Sequence, residues 1–448
     1  MANTYLTRTP SSSGNRKTFT FSFWFKRGSL GSNQYIYTQY NSSNSYNSAI
    51  YLGSSDNFLF WDYTNAYQLN LRLNRLFRDV NAWYHIVIAV DTTQATASNR
   101  AKIYINGVQE TSFSTATYPS QNLDLRINEY QPQQIGISRY GSTNENFFDG
   151  SMSHFHFIDG TAYPASAFGS TDSTTGEWKI NTSPSVTYGT NGYFILKDSG
   201  SKTDQSGKGN NFSEEGSPGI VSNTQDCPSN VFATWNPLFP AGGSLTFNNG
   251  NTKLVNTGTA AYRTSVSTLG ASTGKYYAEF KCGGDTFFTG VLDINNTKMG
   301  INDINFGSSS DMTAYGYGIF NSTGNVMNNG STVVSNYTSA INSDAILCVA
   351  LDCDNKKLYF RKNNDAWGNS GNPTSGSTGT GAISLASGDR TWVFASSVNG
   401  VNINANFGNG YQGTTAVSSA GTNASNNGIF EYDVPTGYTA LSTKGLNL

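Results

Sequence analysis

Alternation with a period of two runs through this chain from Phe19 almost to its C-terminus, and helical periodicity is nearly absent. In TFTFSFWFK, Phe19, Phe21, Phe23 and Phe25 face one way while Thr20, Ser22, Trp24 and Lys26 face the other. One face of that strand belongs to a core. WYHIVIAVD repeats the pattern, with Tyr84, Ile86, Ile88 and Val90 opposed to His85, Val87, Ala89 and Asp91. AKIYING places Ile103 and Ile105 inward and turns at Asn106-Gly107, a dipeptide suited to left-handed backbone. These last two strands are expected to pair antiparallel. The fold class that follows is all-β, with antiparallel sheets.

A chain of 448 residues exceeds one ordinary domain, so the strands are expected to be shared between two or three units, with two as the working count. Further strands are predicted at YIYTQY, SAIYLG, NFLFWDY, QIGISRY, SMSHFHFID and GYFILKD. Alternation then stops over SEEGSPGIVSNTQDCPSN. The expected division is a first domain over 1–212, a linker over 213–230 and a second domain over 231–448. In the second domain strands resume at GSLTFNNG, KYYAEFKCG, TGVLD, YGYGIF, AILCVALD, KKLYFRK, TWVFASSV and NINANFG. The stretch 368–381 carries almost no apolar side chain and is expected to be a mobile exposed loop.

Charge and cysteine content exclude several classes of function. With 12% charged residues and a net charge of -2, no basic field exists to hold a nucleic-acid backbone. No stretch is apolar enough for membrane insertion, and the N-terminus lacks the apolar core of a signal peptide, so synthesis in a cytoplasm is expected. The four cysteines follow no zinc spacing. Cys348 and Cys353 would point to opposite faces of one strand, and buried free thiols are expected throughout. His154 and His156 share a strand face at a spacing that could present two imidazoles to a metal. With no third ligand placed near them, they are read as structural or solvent-facing. The carboxylates are scattered: Glu129, Glu145 and Glu177 stand alone in loops, and Glu279 sits on a strand. No strand carries the E-x-D-x-x-E pattern of a hydrolase, and no G-x-S-x-G elbow is present. No catalytic residue is assigned. Aromatic rings beside Asn and Asp are a common means of holding sugars. Trp61, Tyr63 and Tyr67 flank one polar loop and Tyr130 and Tyr140 another, and these five are the candidate glycan-binding residues.

Three groups of residues carry resemblances to known families. The strand Phe19-Thr20-Phe21-Ser22-Phe23-Trp24-Phe25-Lys26, Trp83-Tyr84-His85 leading to Asp91, Tyr104-Ile105-Asn106-Gly107, and Phe148-Asp149-Gly150-Ser151 follow the landmark order of the laminin-G-like, concanavalin-type jelly-roll sandwiches. The second half is similar to a SPRY domain. Gly274-Lys275-Tyr276-Tyr277-Ala278-Glu279, Gly316-Tyr317-Gly318, and Leu347 to Asp352 followed by Lys357-Leu358-Tyr359-Phe360 carry this likeness, with Asn364 where that family has glycine. Asp204-Gln205-Ser206-Gly207-Lys208-Gly209-Asn210-Asn211, Phe232-Ala233-Thr234-Trp235-Asn236-Pro237 and Val434-Pro435-Thr436-Gly437-Tyr438 resemble the connector and ending of marine-phage proteins of this architecture.

These resemblances imply two β-sandwiches on the surface of a virion. The chain would be a tail fibre or tail-associated adhesin that binds host surface polysaccharide, in contact with other virion proteins. A homo-oligomer is implied, with a trimer plausible for a fibre. A capsid-decorating or cement protein without ligand is the alternative, and a polysaccharide depolymerase stands behind both. The lectin-type resemblance also admits one calcium ion, for which Asp91 and Asp149 are the candidate ligands; no other cofactor is implied.

Overall fold

The structure, a computed structural model, describes residues 4–41, 46–140, 143–197, 201–216, 224–239, 245–258, 261–284, 287–295 and 315–447, without the side chains of Tyr46, Asn47 and Tyr140. It is built almost wholly from antiparallel strands, and its few helical segments are short 3-10 turns. The chain divides into two compact units, Met1–Asn223 and Thr224–Leu448.

In the first unit a six-stranded sheet runs in the order Tyr193–Ile195, Gly150–Asp159, Thr18–Arg27, Tyr84–Asp91, Ala101–Ile105, Val108–Gln109. An eight-stranded sheet runs Phe113–Thr117, Ala66–Leu76, Asn57–Thr64, Tyr46–Leu52, Gln34–Tyr40, Gln133–Ile135, Tyr5–Arg8, Ser213–Glu215. One core joins the two sheets. Phe19, Phe21, Phe23 and Phe25 from the first meet Ile50, Phe58, Phe60, Leu69, Leu71 and Leu73 from the second. Burying each phenylalanine removes its ring from water, a gain of about 2–3 kcal/mol apiece. The alternation in TFTFSFWFK is therefore the phase of the core, as expected. Tyr84–Asp91 pairs antiparallel with Ala101–Ile105, and left-handed Asn106 and Gly107 close the next tight turn.

In the second unit, strands of an eight-stranded sheet run Leu245–Asn248, Lys253–Asn256, Asn402–Asn406, Lys275–Cys282, Ile346–Asp352, Lys357–Lys362, Ile383–Ser384, with Thr439–Ala440 parallel to Lys275–Cys282. A six-stranded sheet runs Arg263–Val266, Trp392–Val398, Phe287–Asp293, Gly316–Phe320, Asn325–Asn328, Ser331–Val334. Phe280, Leu347, Val349 and Leu351 of the first meet Phe287, Val291 and Phe394 of the second in a separate core.

Three local expectations differ from the structure. Ser213–Glu215, read from sequence as the start of a linker, is an edge strand paired with Tyr5–Arg8. Its three residues cap an existing ladder and need no alternation of their own. The stretch 368–381 is folded into 3-10 turns at Gly368–Ser370 and Pro373–Thr378 rather than left as an open loop. Its backbone supplies what its side chains lack: Asn372 N–H donates to Thr380 O, and the Pro373 and Gly381 carbonyls accept from the Tyr438 and Tyr337 hydroxyls. Finally, Asn364, which stands where the resembled family has glycine, is not the left-handed residue of that turn; Asn363 is.

Candidate functional site

The core phase fixes what the outer face of the eight-stranded sheet displays. With Phe58 and Phe60 turned inward, Trp61 and Tyr63 must turn outward, and a register shift between Asp62 and Tyr63 brings Tyr67, which alternation alone would set inward with Leu69, Leu71 and Leu73, opposite Tyr63 on the same face. The polar loop they flank is the tight turn of a hairpin, with left-handed Asn65 at its tip. Tyr67 packs edge-on against both, with ring centroids 5.9 Å from Trp61 and 5.2 Å from Tyr63. Tyr67 remains 51% exposed.

Cross-strand register extends this cluster into an aromatic row. Tyr35 lies opposite Tyr51, Tyr51 opposite Leu59, and Leu59 opposite Arg72. Tyr35 and Tyr51 stack face to face at 4.5 Å and 7°. In the next rung Ala49 faces Trp61 and Trp61 faces Asn70. Leu59, only 2% exposed although on the outer face, forms the base of the row. Half-burial pushes the Tyr35 hydroxyl up to about 12 and raises that of Tyr51, beside which Arg72 and Trp61 act in the opposite sense. Both hydroxyls stay protonated at neutral pH and can donate. The face therefore combines ring planes, hydroxyl donors, the Asn70 amide and the Arg72 guanidinium, the groups that engage sugar CH faces and hydroxyls. Sequence reading missed Tyr35, Tyr51, Asn70 and Arg72. The signal for the last two was present in the alternation of QLNLRLN.

The remaining aromatic candidates lie apart from this row. Tyr130 is 58% exposed in a loop, its backbone N–H donating to Ser13 Oγ, and among the described residues it makes no ring contact with the row. Tyr140 ends the strand Ser138–Tyr140, and its side chain is outside the described residues.

The two calcium candidates sit at opposite ends of one strand. Asp91 is level with Thr18, whereas Asp149 precedes Gly150, which is level with Arg27. Nine residues of extended chain hold them about 30 Å apart, so they cannot share an ion. Asp91 is a turn former: burial pushes its carboxyl up, but hydrogen bonds from Thr93 and Gln94 outweigh this and hold it below the usual range. Among the described residues no group of three or more His, Cys, Asp or Glu is placed to hold a metal.

Of the other acidic residues, Glu129 is paired with Arg16 and Arg126, while Glu145 and Glu177 are exposed. Glu279 is fully buried, and burial drives its carboxyl up to about 7 against hydrogen bonds from the Glu431 and Tyr432 backbone and the Tyr277 hydroxyl. It ties the C-terminal segment to the sheet. The four cysteines are free, three buried and Cys227 partly exposed.

All three histidines are buried, so none is solvent-facing. A bulge between Ser153 and His156 separates His154 from the alternation, with φ at +48°. His156 stacks on Phe194 at 3.9 Å and contacts the Tyr188 hydroxyl through Nδ1. His85 lies between the rings of Trp24 and Trp178. The Trp178 indole N–H donates to its Nδ1 at 2.9 Å, which leaves the proton on Nε2, facing Ser22 Oγ. That polarity is opposite to what activates a serine nucleophile, where the imidazole must accept the hydroxyl proton.

Comparison with known proteins gives partial likenesses. The SPRY domain of human HERC1 is similar at a TM-score of 0.29 and 16% identity, covering 38% of this chain and 96% of that one. The TRIM65 PSpry domain gives 0.28 and 11%, covering 39% and 88%. A heptameric SAP-like pentraxin from Limulus polyphemus gives 0.27 and 16%, covering 36% and 72%. At these scores the likeness bears on neither ligand nor activity. No curated protein matches. Residues 2–167 match the family described as the concanavalin A-like lectin/glucanases superfamily, so the first unit is similar to that family over the part of the chain that holds the aromatic row.

Proposed function

We propose that this chain is a virion surface protein of a bacteriophage that attaches the particle to host surface glycans through the outer face of the eight-stranded sheet of its first unit. The observation that carries the reading is the row of Tyr35, Tyr51, Trp61, Tyr63 and Tyr67 on one outward face, with polar groups interleaved. Core packing does not require aromatic residues there. The lectin-type match over residues 2–167 and the connector residues of the phage resemblance are consistent with it. Each site would be weak, and display of many copies on one particle would convert weak contacts into firm attachment. The chain acts by binding, without a catalytic step.

The test compares wild type with Trp61→Ala and Tyr51→Ala in binding to host cells and to purified surface polysaccharide. Loss of one stacking partner is expected to weaken single-site binding about fivefold or more, with particle assembly intact. Unchanged binding with failed assembly would replace this reading by the decoration protein, in which the same rings meet a neighbouring subunit.

A further inference from the structure

Arg72 differs from the arginines around it. Arg75, three residues on, is held by Glu110 at 2.9 Å, and Arg126 is held by Glu129 at 3.0 Å. Arg72 is exposed on the outer face, and among the described residues it has no carboxylate partner. It lies in the rung that begins at Tyr35, crosses Tyr51 and Leu59 and ends at Thr115 of the edge strand, so the aromatic part of the row gives way to a positive charge beside a hydroxyl. Three strand steps separate Tyr35 from Arg72, about 14 Å in all. At the opposite end the Tyr35 N–H donates to the Asn146 carbonyl at 3.1 Å, which brings the neighbouring exposed Glu145 to that end of the row. A ligand lying along the rung therefore meets rings and hydroxyls in the middle, a cation at one end and an anion at the other.

We propose that the face takes an extended anionic polysaccharide, its sugar rings on Tyr51 and Trp61 and a carboxylate or sulfate group on Arg72. The inference rests on the carbohydrate-binding reading above and adds the charge class of the ligand. Beside Arg72 stands the Tyr51 hydroxyl and, among the described residues, no carboxylate, which leaves guanidinium donors open to an anionic group. The planar donor fork of Arg matches carboxylate and sulfate geometry, where a bidentate contact is strong. A nucleic acid also offers rings and anions. The Arg72 guanidinium on a chain of net charge -2 supplies too little attraction for a phosphate backbone, so the polysaccharide is favoured.

Affinity electrophoresis of the full chain through gels containing polygalacturonate, dextran sulfate or dextran tests this directly. Wild type should be retarded by at least one of the two anionic polymers at about a tenfold lower concentration than by dextran. Which of the two retards it distinguishes carboxylate from sulfate. Arg72→Gln should collapse the preference towards one and Arg72→Lys should restore part of it. Lys208→Gln, the same charge change at an exposed lysine outside the row, should behave as wild type. Melting curves of each variant establish that the fold is retained. Equal retardation by dextran and both anionic polymers, an unchanged preference in Arg72→Gln, or stronger binding of a single-stranded oligonucleotide would overturn the proposal. Equal retardation that Trp61→Ala abolishes would sink only the charge class. Retardation indifferent to Trp61→Ala, or absent with every polymer, would sink the carbohydrate reading with it.

Discussion

His85 is held neutral by its surroundings: burial between two tryptophans drives its imidazole down to about 3, with the neighbouring His154 acting in the same direction. A base whose pKa is depressed on folding contributes stability that is complete above its unfolded value near 6.5. That stability is lost as pH falls from there towards 3. At pH 5 the loss from His85 alone is about 2 kcal/mol, and His156, lowered for the same reason, adds to it. Asp62 opposes them. Burial pushes its carboxyl up to about 6, so its protonation between pH 7 and 5 favours the folded state. The expected outcome is that the imidazole carbon-proton resonance of His85 does not move between pH 8 and 5. A titration midpoint near 6.5 for that residue would contradict the buried sandwich.

At the scale of strands, the phase of each core can be tested by one charge. Phe21→Asp and Leu351→Asp each place a carboxylate among fully buried side chains of different units, at a cost of several kcal/mol, comparable to the stability of a whole domain. Each should abolish one calorimetric transition and leave the other in place; both transitions unchanged in Phe21→Asp would mean the strand is out of phase. Strands such as Thr18–Arg27 were legible because the period-two pattern of TFTFSFWFK marks which residues enter the core between the sheets, although the other face is buried as well. Ala66–Leu76 carried the same signal in Leu69, Leu71 and Leu73, but the polar Asn70, Arg72 and Asn74 alternating with them masked it. The pairing of Tyr35 with Tyr51 could not be read. A register shift between Tyr35 and Tyr37 sets which tyrosine faces outward, and that bulge depends on the partner strand. Asp91 and Asp149 were singled out by their places at strand ends, and sequence position carries no information on which end. The stretch 368–381 was misread because backbone hydrogen bonds order it, and composition reports only side chains.

For the whole molecule, the two units should respond oppositely to acid. Glu279, raised to about 7 by burial, lies in the second unit, so lowering the pH from 7 to 5 protonates it in the folded state and favours that unit. Over the same interval the first unit loses more through His85 and His156 than it recovers through Asp62. Differential scanning calorimetry should show the two transitions moving apart as the pH falls, and a parallel shift of both would contradict this assignment. The distribution of reactive side chains has a practical consequence. Every histidine of the chain falls in Met1–Asn223 and every cysteine in Thr224–Leu448. Three of each kind are buried. An imidazole-directed reagent such as diethyl pyrocarbonate and a thiol-directed one such as a maleimide thus become separate clocks in one sample. The first counts openings of the lectin-like unit and the second, after the rapid reaction of Cys227, those of its neighbour, with no label introduced and no residue changed.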